Sequence, residues 1–174
     1  PDQPTYHLGD TVQLSATPEA GWTFVNWTGG VTGTANPINV NITGNMTVTA
    51  NYSQNEYTLT VVSAHGTVTK TPDQPTYHLG DTVQLSATPE AGWTFVNWTG
   101  GATGAANPIN VNITGNMTVT ANYSQNEYTL TVVSAHGTVT KTPDQPTYQM
   151  GDTVQMSATP ETGWTFVEWT GDAT

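Results

Sequence analysis

The chain contains no cysteine and no arginine, and only two of its 174 residues are lysines. Without cysteine, neither disulfide bonds nor thiolate metal sites are available. Thirteen acidic residues stand against the two lysines, which gives a net charge of −11. Because binding to phosphate needs clustered Lys and Arg, nucleic acid is not expected as a partner, and an anionic membrane surface is disfavoured for the same reason.

The sequence also lacks a long apolar run, so no membrane insertion is expected in this segment. Charged residues make up only 9% of the chain, which does not fit a charge-driven disordered tail. What the chain has instead is Thr, Val, Tyr and Trp, residues that suit the pleated and half-buried surface of a β-sheet.

The dominant feature is an internal repeat. The hexapeptide Pro1–Tyr6 returns at Pro72–Tyr77 and at Pro143–Tyr148, so the period is 71 residues. We place one complete unit at residues 57–127. Residues 1–56 then form a partial unit without the first hairpin, and residues 128–174 a partial unit without the last strands. We expect the chain to be a window on a longer array, with any targeting signal outside it.

Each unit is predicted to be all-β, because short alternating segments are separated by Gly, Pro and Asn turns and no helical period is present. In the complete unit the predicted strands are residues 57–61, 67–71, 82–88, 93–98, 109–114 and 117–123. Alternation places Trp93 and Phe95 on one face of their strand and Trp98 on the other. The predicted fold class is therefore a tandem array of β modules of about 71 residues. Each module is β-grasp-like or a small sandwich, arranged as beads on a string or as a stacked rod.

Several motifs in a fixed order give the unit a family resemblance. They are Tyr57–Val61, Gly66–Val68, Tyr77 with Gly80, Asp81 and Val83, Ala87–Pro89, Gly92–Trp98 and Asn116–Tyr123. Together they resemble the divergent internalin B-repeat family over essentially the whole chain. The resemblance implies small β-rich modules, compared with a β-grasp, strung in tandem on secreted or surface-anchored bacterial and archaeal proteins. It implies no enzymatic activity and no agreed ligand.

The six tryptophans occur in pairs within three near-copies of one decapeptide, at Trp22 and Trp27, Trp93 and Trp98, and Trp164 and Trp169. A small unit without disulfides has few other large apolar groups to fill a core. At least one Trp of each pair is therefore predicted to lie in the core. Trp27 and its copies are candidates to pack against the next unit instead. The competing interpretation is that the indoles are platforms for stacking sugars.

Eight asparagines stand in N-x-[ST] triplets and are candidate N-glycosylation sites. They are Asn26, Asn41, Asn45, Asn51, Asn97, Asn112, Asn116 and Asn122. A Thr-rich chain also forms such triplets by accident, and Glu168 removes one of them in the third copy.

No residue constellation indicates catalysis or a resident metal. The acids Asp10, Glu19, Asp81 and Glu90 are isolated, whereas calcium prefers several oxygens that converge from one loop. No cofactor is therefore predicted, with calcium as the one alternative. His65 and its copy His136 lie in a predicted turn and are expected to be solvated. The chain is accordingly predicted not to be an enzyme.

The function predicted from these features is structural: a segment of an extracellular or cell-surface stalk, fibre or adhesin shaft. Its partners would be the neighbouring repeats of the same chain and, in a filament assembled through strand edges, other copies of itself. The alternative function is a carbohydrate-binding or adhesive module that presents Trp and Tyr to glycans.

Overall fold

The structure, a computed structural model, describes residues 5–172. Over this range the fold has strands and no helix, and therefore no helix that could span a membrane. The first unit contains β1 (Thr11–Leu14), β2 (Trp22–Gly29), β3 (Ile38–Asn41) and β4 (Val48–Gln54). The second contains β5 (Leu59–Ser63), β6 (Gly66–Thr71), β7 (Thr82–Pro89), β8 (Trp93–Gly100), β9 (Ile109–Asn112) and β10 (Met117–Gln125). The remaining strands are β11 (Glu127–Tyr128), β12 (Gly137–Thr142), β13 (Tyr148–Gln149) and β14 (Gln155–Pro160). The prediction of tandem all-β modules is confirmed.

The complete unit consists of two three-stranded sheets. In the first sheet, β10 lies in the centre, with β5 parallel to it on one side and β8 antiparallel on the other. In the second sheet, β7 lies in the centre, antiparallel to both β6 and β9. The expected pairing of β5 with β6 as the two arms of a hairpin is not observed, because the two strands lie in different sheets, each as an edge strand. Residues 57–71, the two strands and the turn between them, are called the hairpin. The hairpin therefore ties together the two layers that enclose the core.

The core of this unit draws on both sheets. Val83, Leu85 and Ala87 alternate inward from β7, as predicted, and are at most 5% exposed. They pack with Trp98, Val111, Ile113, Val119, Ala121, Leu59 and Tyr77 in a single cluster of buried residues. The alternation of apolar and polar residues therefore predicts the inward face of these strands correctly.

The prediction that Phe95 and Trp98 lie on opposite faces is wrong. Their rings pack together with centroids 5.0 Å apart, and Trp98 is fully buried. The register of β8 on β10 shifts between Asn122 and Tyr123, which leaves Val96 as the extra residue of a β-bulge. Val96 is accordingly 45% exposed, and the bulge returns Trp98 to the side of Phe95.

Two side chains fasten the long loops to the sheets. The Asn107 amide accepts a hydrogen bond from the Ala87 N–H (2.9 Å) and donates one to the Ala87 carbonyl (2.7 Å), much as a neighbouring strand would. The buried Tyr77 hydroxyl donates to the Pro72 carbonyl at 2.9 Å and accepts from the Gln74 N–H at 3.1 Å. These bonds satisfy polar groups beside the core, which would otherwise be costly to bury.

Candidate functional site: inter-unit joints and open strand edges

Successive units meet at a joint that occurs twice. At the first joint, Leu79 of the second unit lies over Gly21 of the first. A Cβ placed on Gly21 would come within 3.0 Å of the Leu79 Cβ. At the second joint Met150 lies over Gly92 in the same way, at 2.9 Å. Both glycines also have φ near +80°, a region that favours glycine.

The linker between successive units is short, and both of its ends are hydrogen-bonded. The Asn55 N–H donates to the Gly21 carbonyl at 2.8 Å, which holds the end of the first unit. Two residues later, Tyr57 exchanges two backbone hydrogen bonds with Tyr77 of the second unit. The second joint repeats this arrangement, with Asn126 bonded to Gly92 and β11 paired with β13. The linker residues are thus bonded to the units on both sides.

Within the complete unit, the turn of the β5–β6 hairpin sits on two aromatic side chains. The His65 ring stacks on Trp93, with centroids 3.5 Å apart and planes 3° from parallel. The Ser63 hydroxyl lies 2.8 Å from the Tyr123 hydroxyl and donates to the Gly66 carbonyl at 2.7 Å. The hairpin is therefore held by strand pairing along its length and by side chains at its turn.

The first unit presents the same surfaces without a hairpin over them. Among residues 5–172, β4 pairs only with β2, and β1 pairs only with β3. A groove of about 540 Å³ runs along these strands, and its apolar walls include Val12, Leu14, Val40, Ile42 and Val48. A second groove of about 460 Å³ lies between Glu19, Trp22 and Tyr52, where the hairpin turn sits in the complete unit.

In the third unit residues 128–142 match the hairpin, and residues 5–172 include no equivalent of β10 for this unit. Its β12 pairs with β14, whereas the residues that match β5, 130–134, form no strand. A groove of about 470 Å³ separates this segment from Phe166 and Trp169. Val133 is 90% exposed there.

In the first two units one tryptophan of the decapeptide is buried and the other is not, whereas in the third unit Trp169 is half-buried and Trp164 exposed. Trp27 and Trp98 are buried in their own units, and the Trp98 indole N–H donates to the Ala106 carbonyl at 2.9 Å. Packing of this Trp against the next unit, the alternative raised above, is therefore not observed. The inter-unit contact is made instead by the apolar residue at Leu79 and Met150. Trp22 and Trp164 lie at the surface, 40% and 53% exposed.

The expectation that the turn histidines are solvated needs correction. His65 is half-buried and stacked on Trp93, and His136, although exposed, is stacked on Trp164 at 3.6 Å. Only one signal in the sequence bears on the joints. An apolar residue persists at Leu8, Leu79 and Met150 inside an otherwise polar turn. No local pattern in the sequence indicates that His65 stacks on Trp93, because the two rings come from distant segments that meet only when the sheets form.

The isolated acids have local structural roles. The Asp10 and Asp81 carboxylates accept hydrogen bonds from the His7 and His78 N–H groups, each at 2.8 Å, and so close their turns. The Lys70 ammonium contacts Asp73 at 2.9 Å, and this hydrogen bond raises the pKa of Lys70 against the opposing effect of burial. Within residues 5–172 no group of three or more His, Asp or Glu side chains could hold a metal ion.

The candidate glycosylation sites differ in the hydrogen bonds that their side-chain amides make. The Asn122 amide donates to the Asn97 side chain at 2.9 Å and to the Thr99 hydroxyl at 3.0 Å, and Asn51 repeats this with Asn26 and Thr28. A glycan on these nitrogens would remove part of this bonding. Asn41 and Asn112 are exposed and accept hydrogen bonds from neighbouring threonines through their oxygens. Asn45 lies exposed in a turn.

Comparison with known families matches all three units. The model of the divergent InlB B-repeat domain matches residues 1–56, 57–127 and 128–174. The chain belongs to this family. The resemblance inferred from the sequence motifs is thereby confirmed, and membership implies a surface repeat protein. Domains of this family are generally structural. No curated protein and no solved structure is similar enough to match the chain.

Proposed function

We propose that the chain is a non-catalytic structural segment of an extracellular or cell-surface stalk, fibre or adhesin shaft, whose units are held in a fixed relation by the repeated joint. The observation that carries this proposal is the recurrence of one contact, Leu79 over Gly21 and Met150 over Gly92. In repeat proteins, stability and shape follow from contacts between nearest neighbours. A joint copied in each unit would give the array a regular geometry.

The joint offers a matched control for a test. Leu8 stands at the position of Leu79 and Met150 but is 82% exposed, whereas Leu79 and Met150, each against a glycine of the preceding unit, are 37% and 60% exposed. We expect small-angle X-ray scattering of the chain to fit one arrangement of the units. Replacing both Leu79 and Met150 by Asp should broaden the distance distribution without loss of β-structure by circular dichroism. Leu8→Asp should leave both signals unchanged. Scattering of the double variant identical to that of the parent chain would contradict the proposal.

The surface location has a separate test. Protease treatment of intact cells that produce the protein should remove the epitope of an antibody raised against this chain, while a cytoplasmic marker remains intact. Intact mass before and after deglycosylation would report whether the chain carries N-glycans, and mass spectrometry of its peptides would show which asparagines carry them. We expect these three to be favoured over Asn51 and Asn122, whose amide nitrogens donate two side-chain hydrogen bonds each.

We also propose that the strand edges allow copies to assemble into filaments. The supporting observation is that both sheets of the complete unit end on an edge strand, β8 in one sheet and β9 in the other. Strand addition to an exposed sheet edge is a common mode of recognition between chains. Negative-stain microscopy at increasing concentration tests this, because filaments would lengthen whereas single chains would not.

Carbohydrate binding is the second candidate function, supported by the exposure of Trp22 and Trp164. The complete unit argues against carbohydrate binding, because the His65 ring covers one face of Trp93, with ring centroids 3.5 Å apart. A sugar would have to displace this imidazole before stacking. If Trp93 were a sugar platform, His65→Ala should increase the response of tryptophan fluorescence to added glycans. We expect no response from either the parent chain or the variant.

A further inference from the structure

The second joint contains a methionine, Met150, where the first contains a leucine, Leu79. We propose that Met150 is a site of reversible oxidation by peroxides, and that conversion of its thioether to the sulfoxide loosens the second joint and leaves the first unchanged. This role rests on the proposed structural function, in which the joints hold successive units in a fixed relation. It adds to that function a modification site and the class of reagent that acts on it.

The methionine side chain contacts the glycine of its joint along much of its length. A Cβ placed on Gly92 would lie 2.9 Å from the Met150 Cβ, 3.2 Å from its Sδ and 3.6 Å from its Cγ. At the first joint, a Cβ placed on Gly21 would meet the Leu79 Cβ, Cδ2 and Cγ at 3.0, 3.2 and 3.7 Å. The sulfur therefore takes the place of a leucine methyl group against the glycine.

This position is open to solvent in a complete unit. Leu79 stands there in the second unit and is 37% exposed, although it lies over Gly21. Met150 is 60% exposed. A small neutral oxidant can therefore reach the Met150 side chain from solvent while the joint is closed.

The other three methionines of the chain are better protected. Met117 is half-buried and packs against the core of the complete unit, and its equivalent in the first unit, Met46, is also half-buried. Met156 stands at the position of Leu85, which is fully buried in the complete unit. Because the oxidant must reach the sulfur, Met150 should react before the others.

The reaction transfers one oxygen atom from a peroxide to the thioether. With hydrogen peroxide, an S–O bond forms as the O–O bond breaks, and the second oxygen leaves as water with the proton of the transferred oxygen. The sulfur loses two electrons and the peroxide gains them. The product, methionine sulfoxide, is polar, and methionine sulfoxide reductases return it to the thioether.

The sulfoxide oxygen would be a hydrogen-bond acceptor beside backbone whose N–H groups are already engaged. The Trp93 N–H, next to Gly92, donates to the Glu90 carbonyl at 3.1 Å. The Asn126 N–H donates to the Gly92 carbonyl at 2.8 Å. Because an acceptor without a donor is costly to keep out of water, the oxidised side chain should leave the glycine for solvent.

The remaining contacts of the joint do not use the thioether. In the turn that carries Met150, the Gln149 N–H donates to the Asp152 carboxylate at 2.7 Å and the Asp152 N–H donates to the Gln149 carbonyl at 3.1 Å. The linker keeps its pairing of β11 with β13. Oxidation should therefore widen the range of orientations between the second and third units without unfolding either.

Spin labels at matched positions report each joint separately, because the chain has no cysteine of its own. Gln13, Gln84 and Gln155 are equivalent, exposed residues of β1, β7 and β14. Labels on Gln13→Cys and Gln84→Cys span the first joint, and labels on Gln84→Cys and Gln155→Cys span the second. Each labelled chain is treated with hydrogen peroxide. Mass spectrometry of peptides then follows the oxidation of each methionine, and pulsed electron paramagnetic resonance measures the distribution of distances between labels.

We expect peroxide to oxidise Met150 first and to broaden the distances across the second joint, with those across the first unchanged. Met150→Leu, which reproduces the first joint, should abolish the broadening. Met156→Leu, which restores the residue of the complete unit, should leave it in place. Treatment with methionine sulfoxide reductases should restore the original distribution.

Equal broadening across both joints, or the same broadening in Met150→Leu, would overturn the proposal. So would complete oxidation of Met150 without a change across the second joint, or oxidation of Met117 or Met156 ahead of it. The joint itself is tested by the variant with Leu79→Asp and Met150→Asp. If that variant changes the scattering and the sulfoxide does not change the distances, the structural function stands and the oxidation site fails; if neither changes, both fail.

Discussion

Residues 5–56 and 76–127 have the same sequence except at two positions, yet they are buried to different extents. Leu85, Val83 and Ile113 are fully buried, and their counterparts Leu14, Val12 and Ile42 are only half-buried. The difference is the hairpin of residues 57–71, which covers the second set and not the first. In this family member the core is therefore closed by the hairpin, and a stretch of sequence alone does not determine how much of it is buried.

What the two regions share is equally informative. Trp27 and Trp98 are both buried, and each donates its indole N–H to a loop carbonyl at 2.9 Å. The Phe–Trp contact and the asparagine that fastens the loop also recur in both regions. These features form whether or not the hairpin is paired with the unit. Each unit thus has some contacts that do not need the hairpin and others that depend on it.

The largest effect is expected from truncation of the leucine that the hairpin covers. Leu85→Ala should lower the free energy of unfolding by about 2–5 kcal/mol, the usual cost of removing a fully buried leucine side chain. Leu14→Ala should cost clearly less, because Leu14 lies in an open groove. Urea denaturation followed by circular dichroism measures both. Equal losses for the two variants would show that the hairpin does not set the difference in burial.

The next effect concerns the turn of the hairpin. His65→Ala removes a ring stacked on Trp93 and should cost about 0.5–1.5 kcal/mol, the range for aromatic pairs. It should also shift the tryptophan emission to longer wavelength, since Trp93 would become as exposed as Trp22. His136→Ala is the matched control in the third unit, where Trp164 is already 53% exposed. A larger effect from His136→Ala would contradict this role of the hairpin.

A smaller effect is expected at the tyrosine under the turn. Tyr123→Phe removes the contact of its hydroxyl with Ser63 at 2.8 Å and should destabilise the complete unit by about 0.5–1.5 kcal/mol. Tyr52 is the same residue in the first unit and is 39% exposed, with no hairpin above it among residues 5–172. Tyr52→Phe should therefore be neutral within error in the same denaturation experiment. A cost at Tyr52 comparable to that at Tyr123 would argue against a hydrogen bond to the hairpin as the cause.

Local patterns in the sequence predicted much of this fold. The number of strands in the complete unit and the inward face of β7 follow from alternation, because period 2 ties each side chain to one face of a sheet. Alternation could not predict the bulge at Val96, since an extra residue changes the phase without changing the composition. The prediction of the face on which Trp98 lies is wrong for this reason.

The contacts of the candidate site were beyond the reach of local patterns. His65 and Trp93 are 28 residues apart, and their stacking depends on how two sheets meet. The joint depends on the relative placement of two units, which no single unit determines. The persistence of Leu8, Leu79 and Met150 shows that an apolar residue is needed in that turn, but its partner, Gly21 or Gly92, carries no side chain to reveal the contact.

The smallest effect concerns the ion pair at the base of the hairpin. Hydrogen bonding to Asp73 raises the pKa of Lys70 above its ordinary value of 10.5. Because the folded state holds this proton more tightly, the stabilisation is fully present below pH 10.5 and is lost as the pH rises through the raised pKa. Lys70→Gln should therefore cost less than about 1 kcal/mol at neutral pH, since Asp73 is largely exposed to solvent.

This cost should disappear in alkaline solution. Denaturation of the parent chain and of Lys70→Gln at pH 7 and at pH values above 10.5 measures the difference. The two curves should converge as Lys70 loses its charge. Lys141→Gln removes the equivalent pair with Asp144, at 3.0 Å, from a unit whose hairpin is only partly paired. It should change the stability of the complete unit less than Lys70→Gln at every pH. A difference for Lys70→Gln that persists unchanged above the raised pKa would assign the effect to packing of the lysine stem, not to its charge.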